Sequence, residues 1–291
     1  MVKITRIEAC RARLGEGPVW DPEGQALYFL DIEAQKIIRY KPADGSTASW
    51  QTPLRPGAMA MREGGGAVVA MQNRVAALDF DTGAFTPIAT AVTQAFGAVF
   101  NDGKVDRQGR FVIGSCSSGI DNPRPIGGIF SLGPDHHMER IEKDITFSNG
   151  PCFSPDGATF YFSDSADHAC YAYDYDGATG AIANKRLFVD TRPHGGMPDG
   201  ATVDADGLVW IAIFRGAKVV AFRPDGKVER VVDMPVKLTV SAMFGGPDLD
   251  QLYVPTIDPT AFGEPAEEGG GYLYVVEGLG VRGLPEPGYA G

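Results

Sequence analysis

Helical periodicity is nearly absent from this chain: apolar residues rarely recur at the three- and four-residue spacing of an amphipathic helix, which argues against bundles and α/β folds. No apolar run approaches the roughly 20 residues of a membrane-spanning helix. The opening MVKITRIEACRARLG is too charged for a signal peptide. Cysteine is scarce, with Cys10, Cys116, Cys152 and Cys170 in no CxxC and no close pair. A zinc ribbon and a dense disulfide framework are therefore excluded, and reduced thiols in a cytoplasmic protein are expected. Positive charge is short too, 26 Lys and Arg against 37 Asp and Glu for a net charge of −11. That balance argues against a nucleic-acid partner and against an anionic membrane. No G-x-S-x-G occurs, so no serine sits in a nucleophile elbow. The glycine runs Gly64–Gly66 and Gly269–Gly271 precede no helical pattern and read as turns, not phosphate loops.

What the chain has instead is turns. Its 38 glycines and 21 prolines sit in Asp-Gly, Pro-Asp-Gly and Gly-Gly clusters between short runs of Val, Ile, Phe and Tyr. That alternation is the mark of an all-β protein. The runs group into units beginning near Glu16, Ala58, Asn101, Asn149, Asp199 and Ser241. A period of about 45 residues with four strands per unit is that of a β-propeller. The reading is an all-β, six-bladed propeller forming a single domain over residues 1–291. The last unit shows only three clear strands, so the N-terminal run Lys3 to Ala9 is expected to complete it and close the ring.

The stretch Ile145 to Asp167 displays the unit best: Asn149 opens a strand–turn–strand built around Pro155-Asp156-Gly157. Glu16, Asn101 and Asp199 open their units in the same way. In a propeller the first strand of each blade lines the central channel, so these openers should converge in one pocket. Two carboxylates and two amides are hard oxygen donors that suit Ca²⁺, Mg²⁺ or Mn²⁺. A divalent ion with open positions beside a carboxylate base fits hydrolysis of an ester or lactone. Taken singly, an Asn-Gly or Asp-Gly is better explained as a turn, as at Asp156, Asp176, Asp206 and Asp225. Recurrence in one register is what favours a site. Among the histidines, His136 and His137 read as exposed, His168 as part of a strand, and His194 as a loop residue.

LGEGPVW, FNDGKVD, SNGPCFSPDG, PDGATVDADGLVW, SAMFGG and the tail GLGVRGLPEPGYAG occur in order along the whole chain. Together they resemble the senescence marker protein/regucalcin/gluconolactonase family, and GPDHH and YDYDGATG resemble its animal regucalcin branch. The resemblance implies a six-bladed propeller that opens lactone rings with one divalent ion (Ca²⁺, Zn²⁺, Mn²⁺ or Mg²⁺). It implies Glu16, Asn149 and Asp199 as metal ligands, Asp199 also as the base, and Asn101 as a substrate contact. Two departures bear on the substrate. Sugar-lactone members usually carry Arg where this chain has Val99, and an acidic residue in the next loop, Ser117–Pro125, where it has Pro123 with Asp121 nearby. With Phe96 and Met59 also at hand, the mouth reads as more apolar. The implied partner is a small lactone, in a monomer or homodimer. Rival readings are an esterase or phosphotriesterase on the same fold, and a non-enzymatic calcium-binding propeller.

Overall fold

Aspartates cut the chain into strands. The Oδ1 of Asp21, Asp79, Asp156, Asp176 and Asp225 accepts the backbone N–H two residues on, at 2.9–3.1 Å. Each such closure reverses the backbone and starts the next strand. The fifth blade differs from the expectation in one detail. There Asp204, fully buried, accepts from the Asp206 amide at 3.1 Å, so Asp204 builds the turn and Asp206 is an exposed passenger.

The computed structural model describes residues 1–91, 95–118 and 123–291. Strand β1 (Lys3–Arg11) precedes the first meander, β2 (Gly15–Asp21), β3 (Ala26–Asp31), β4 (Lys36–Tyr40) and β5 (Thr47–Gln51). The second comprises β6 (Pro56–Met61), β7 (Ala67–Met71), β8 (Arg74–Leu78) and β9 (Phe85–Thr90). The third follows as β10 (Ala98–Val105), β11 (Phe111–Ser117), β12 (Gly127–Leu132) and β13 (Met138–Ile145). In the fourth are β14 (Ser148–Phe153), β15 (Thr159–Asp164), β16 (Ala169–Asp176) and β17 (Ala181–Asp190). The fifth has β18 (Met197–Val203), β19 (Val209–Phe214), β20 (Lys218–Phe222) and β21 (Val228–Asp233). Three strands remain, β22 (Met243–Gly245), β23 (Gln251–Val254) and β24 (Tyr272–Glu277), and β1 supplies the fourth. These six four-stranded antiparallel sheets are the blades of a six-bladed β-propeller.

The expected closure is present. β1 pairs antiparallel with β24, Lys3 opposite Glu277 and Ile7 opposite Leu273. Among the described residues helix is confined to short 3-10 turns at Ser165–Asp167, Arg192–His194 and Pro259–Phe262. His168 is not in a strand: it ends the first of these turns with φ +57°. No helix among the described residues is long and apolar enough to cross a membrane.

The chain divides into two compact units, Met1–Thr52 with Thr191–Pro285, and Pro53–Asp190 with Glu286–Gly291. In the first, Trp210 meets Phe244 edge-on at 5.5 Å and Trp20 stacks on Tyr253 at 5.8 Å. In the second, Phe100 and Phe130 pack edge-to-face at 5.6 Å among Val68, Phe111 and Ile113. The C-terminal tail is held there as well. Fully buried Tyr289 donates its N–H to the Met61 carbonyl and its O–H to the Gly133 carbonyl, both at 2.8 Å.

All four cysteines are free and buried. Burial pushes the thiols of Cys10, Cys116 and Cys170 up to about 12, and Cys152 rises well above its usual value. The thiolate is the reactive form, so at pH 8 these groups are doubly protected, by charge state and by access. A chromogenic disulfide reagent is expected to label none in the native protein and all four in denaturant. Rapid native labelling of even one would contradict this packing.

Candidate active site

Glu16, Asn101, Asn149 and Asp199 each stand at a β-bulge in the first strand of their sheets. In β2 the pairing runs Glu16–Leu30 and then Val19–Tyr28, leaving Gly17 and Pro18 opposite one residue. In β14 it runs Asn149–Ser163 and then Cys152–Tyr161, leaving Gly150 and Pro151. In β10 Asn101 and Asp102 are the bulged pair, and in β18 Asp199 and Gly200. A bulge bends the strand and re-aims the side chain beside it, a recurrent device next to active sites. Gly150 takes φ +55°, a conformation costly for a residue with a Cβ.

In the second unit the structure brings Asn101 and Asn149 into contact. The Asn101 Nδ2 donates to the Asn149 Oδ1 at 2.9 Å and to the Ser148 carbonyl at 2.8 Å. The Asn149 Nδ2 is spent on the Ser165 Oγ at 2.9 Å. Both side chains are buried, 9% and 3% exposed, so their orientations are set by these bonds and not by solvent. The carbonyl oxygen of Asn149 keeps a second lone pair. Close approach of β11 to β14 is needed for this, and Gly114 permits it. A Cβ there would fall 1.5 Å from the Ser148 Oγ.

In the first unit, Glu16 accepts the Gly17 amide at 2.9 Å, and Asp199 is 8% exposed in β18. His194 packs edge-on against Phe222 at 5.3 Å in the turn before that strand. Arg215 is engaged by Glu264 in an exposed ion pair.

The entry to two of the strands is clamped in the same way. Asp31, ending β3, accepts from the amides of Arg13 and Leu14 at 3.0 and 3.2 Å, just before Glu16. Asp164, ending β15, accepts from Thr146 and Phe147 at 2.8 and 2.9 Å, just before Asn149. Burial pushes Asp164 above the usual carboxylate range, while these amides pull it back. Buried carboxylates that accept several amide bonds hold backbone rigidly.

Of the residues expected to shape the mouth, Phe96 is fully exposed and Val99 half-buried, whereas Met59 is 1% exposed and offers no open surface. Asp121 lies outside the described residues. Sequence reasoning missed Asp102, whose carboxylate spans from its own strand to the amide of Gly150 at 2.9 Å. Asp102 had been legible only as the middle of FNDG, indistinguishable from a turn former.

Among the described residues no group of three or more His, Cys, Asp or Glu side chains is gathered as a metal site. The expected ligand set contains only two such residues, Glu16 and Asp199, its third member being the Asn149 amide.

Comparison with known proteins joins this geometry to a family. The family described as SMP-30/Gluconolactonase/LRE-like region matches residues 14–258. Regucalcin from Xenopus laevis is 34% identical over 100% of this chain and 99% of its own. Among solved structures, a luciferin-regenerating enzyme superposes with a TM-score of 0.92 at 28% identity, covering 99% of both chains. A calcium-binding protein, regucalcin, from Agrobacterium tumefaciens gives a TM-score of 0.89 at 26% identity over 98% of this chain and 96% of that one. Matched over most of its length by that family model and over its whole length by a relative 34% identical, this chain belongs to the SMP-30/gluconolactonase/LRE-like family.

Proposed function

We propose that the protein is a metal-dependent lactonase whose divalent ion is held by Glu16, Asn149 and Asp199. The observation that carries this is the recurrence of one bulge at Glu16, Asn101, Asn149 and Asp199, in strands otherwise paired regularly. The donors fit such an ion: two carboxylates and an amide oxygen are hard ligands, and the Asn149 amide is already oriented by Ser165 and Asn101. When bound, the ion supplies Lewis-acid polarisation of the ester carbonyl. Asp199 accepts the proton of the attacking water, and its conjugate acid returns that proton to the ring oxygen as the lactone opens. Asn101 keeps its Oδ1 for the substrate, since its amide hydrogens are committed to Ser148 and Asn149. Calcium is the ion favoured by the calcium-binding regucalcin relative. That relative also keeps a second reading alive, a propeller that binds calcium without turnover.

Hydrolysis of a panel of lactones, aryl esters and phosphotriesters tests the assignment. Lactones are expected to give the highest kcat/KM, and no turnover of any member would leave the calcium-binding reading. Within the lactones, Val99 donates no hydrogen bond where an arginine would donate several. A hydroxyl left unpaired in a pocket costs roughly 1–3 kcal/mol, and each 1.4 kcal/mol is about tenfold. Weaker preference for polyhydroxylated aldonolactones over alkyl γ- or δ-lactones is therefore expected. Val99→Arg should shift the kcat/KM ratio toward gluconolactone by about ten- to a hundredfold on the same arithmetic. Strong preference for gluconolactone in the unmodified protein would instead assign the clamp to another group.

A further inference from the structure

Many aspartates of this chain close their own turns. Asp102 also reaches the next blade. Its Oδ1 accepts the Gly103 amide at 2.8 Å, and its Oδ2 accepts the amide of Gly150, 48 residues away in the next blade, at 2.9 Å. The residue is 9% exposed. Its two oxygens thus splint two bulges, the one that carries Asn101 and the one that follows Asn149. Gly150, at φ +55°, is the point at which β14 turns aside, and an amide fixed there fixes the direction in which Asn149 leaves the strand.

The splint is itself anchored. Lys104, two residues further along β10, lies 3.8 Å from Glu286 of the C-terminal tail. Glu286 also faces Arg107 at 3.6 Å, and Arg107 donates to the Phe153 carbonyl at the far end of β14 at 3.2 Å. Both ends of β14 are therefore tied to one polar column within the second unit.

We propose that Asp102 is a positioning residue that sets the orientation of Asn149 for metal coordination by tying Gly150 to the bulge of β10. This rests on the reading of Asn149 as a ligand. A single carboxylate satisfies two backbone donors with two equivalent oxygens. Asparagine offers one oxygen and turns an N–H₂ toward the other amide, so one of the two ties is lost. Loss of groups that orient a ligand typically costs ~10–100-fold in metal affinity.

The test is calorimetric titration of Ca²⁺ into the full chain and its variants, alongside thermal unfolding. Asp102→Asn is expected to bind Ca²⁺ ~10–100-fold more weakly. Asp102→Glu separates position from charge, since it keeps the anion but displaces both oxygens by a methylene. It too is expected to lose affinity; full affinity in Asp102→Glu would show that only the negative charge matters and would overturn the proposal. Asp106→Asn supplies a matched control. Asp106 is fully buried and bonds Tyr175 and Arg110 at 2.6 and 2.7 Å, so its loss lowers Tm without touching Asn149. Ca²⁺ affinity unchanged in Asp102→Asn, with Tm lowered as in Asp106→Asn, would reduce Asp102 to a structural residue and also overturn the proposal. If the unmodified protein bound no divalent ion, the ligand assignment would fall, and this inference with it. The unmodified protein's own titration therefore separates the two failures.

Discussion

Asp199→Asn is expected to cost ~10²–10⁴ in kcat while leaving the fold in place, as loss of a positioned general base typically does. Asparagine keeps the size of the side chain and one coordinating oxygen, so the β18 bulge and its pairing with β19 should persist. What it removes is the basic oxygen to which the proposed mechanism gives the proton. Asp206→Asn is the companion measurement. Asp206 lies in the same blade and is exposed, and its backbone amide donates to Asp204. Little change in kcat or Tm is expected there, as for most surface substitutions. Equal behaviour of the two variants would make Asp199 a turn residue and remove the base from the mechanism.

Removal of divalent ions should abolish turnover altogether, and readdition of Ca²⁺, Mn²⁺, Mg²⁺ or Zn²⁺ should restore it to different degrees. An effect on stability is expected as well. A ligand that binds only the folded state stabilises it by about 2.7 kcal/mol at about 100 times its Kd. Unfolding of the chelated protein should accordingly begin several degrees lower. Glu16→Gln, which removes a negative charge from the proposed set, and Asn149→Ala, which removes a donor, should show less of this metal-dependent increment than the unmodified protein. Full activity in a strong chelator, with Tm unmoved, would contradict the metal reading. Loss of the Tm increment with activity retained would separate a structural ion from a catalytic one.

Local sequence is enough to set out the blades. Strand and turn are local properties: Pro-Asp-Gly and Asp-Gly closures act within a few residues, and repetition about every 45 residues follows from them. It also showed that the last unit lacks a strand and that the run Lys3 to Ala9 is available to supply it, as the pairing of β1 with β24 bears out. Which residues open the blades could be read for the same reason, since Glu16, Asn101, Asn149 and Asp199 each precede or enter a glycine-bearing corner.

Only the tertiary structure decided how those corners are held. Asn101 and Asn149 meet across 48 residues, Asp102 reaches Gly150 over the same separation, and Asp31 and Asp164 close back over 17 and 18 residues onto Leu14 and Thr146. No local pattern marks these aspartates apart from turn formers, because the two kinds differ in the partner and not in the neighbours. The same blindness explains Asp206, which looks like the turn residue although buried Asp204 is the one that accepts its amide. Met59 looks available from its composition and is buried by its sheet. A turn is made by a residue and the chain beside it; the orientation of a ligand is made by strands that the chain reaches only a blade later.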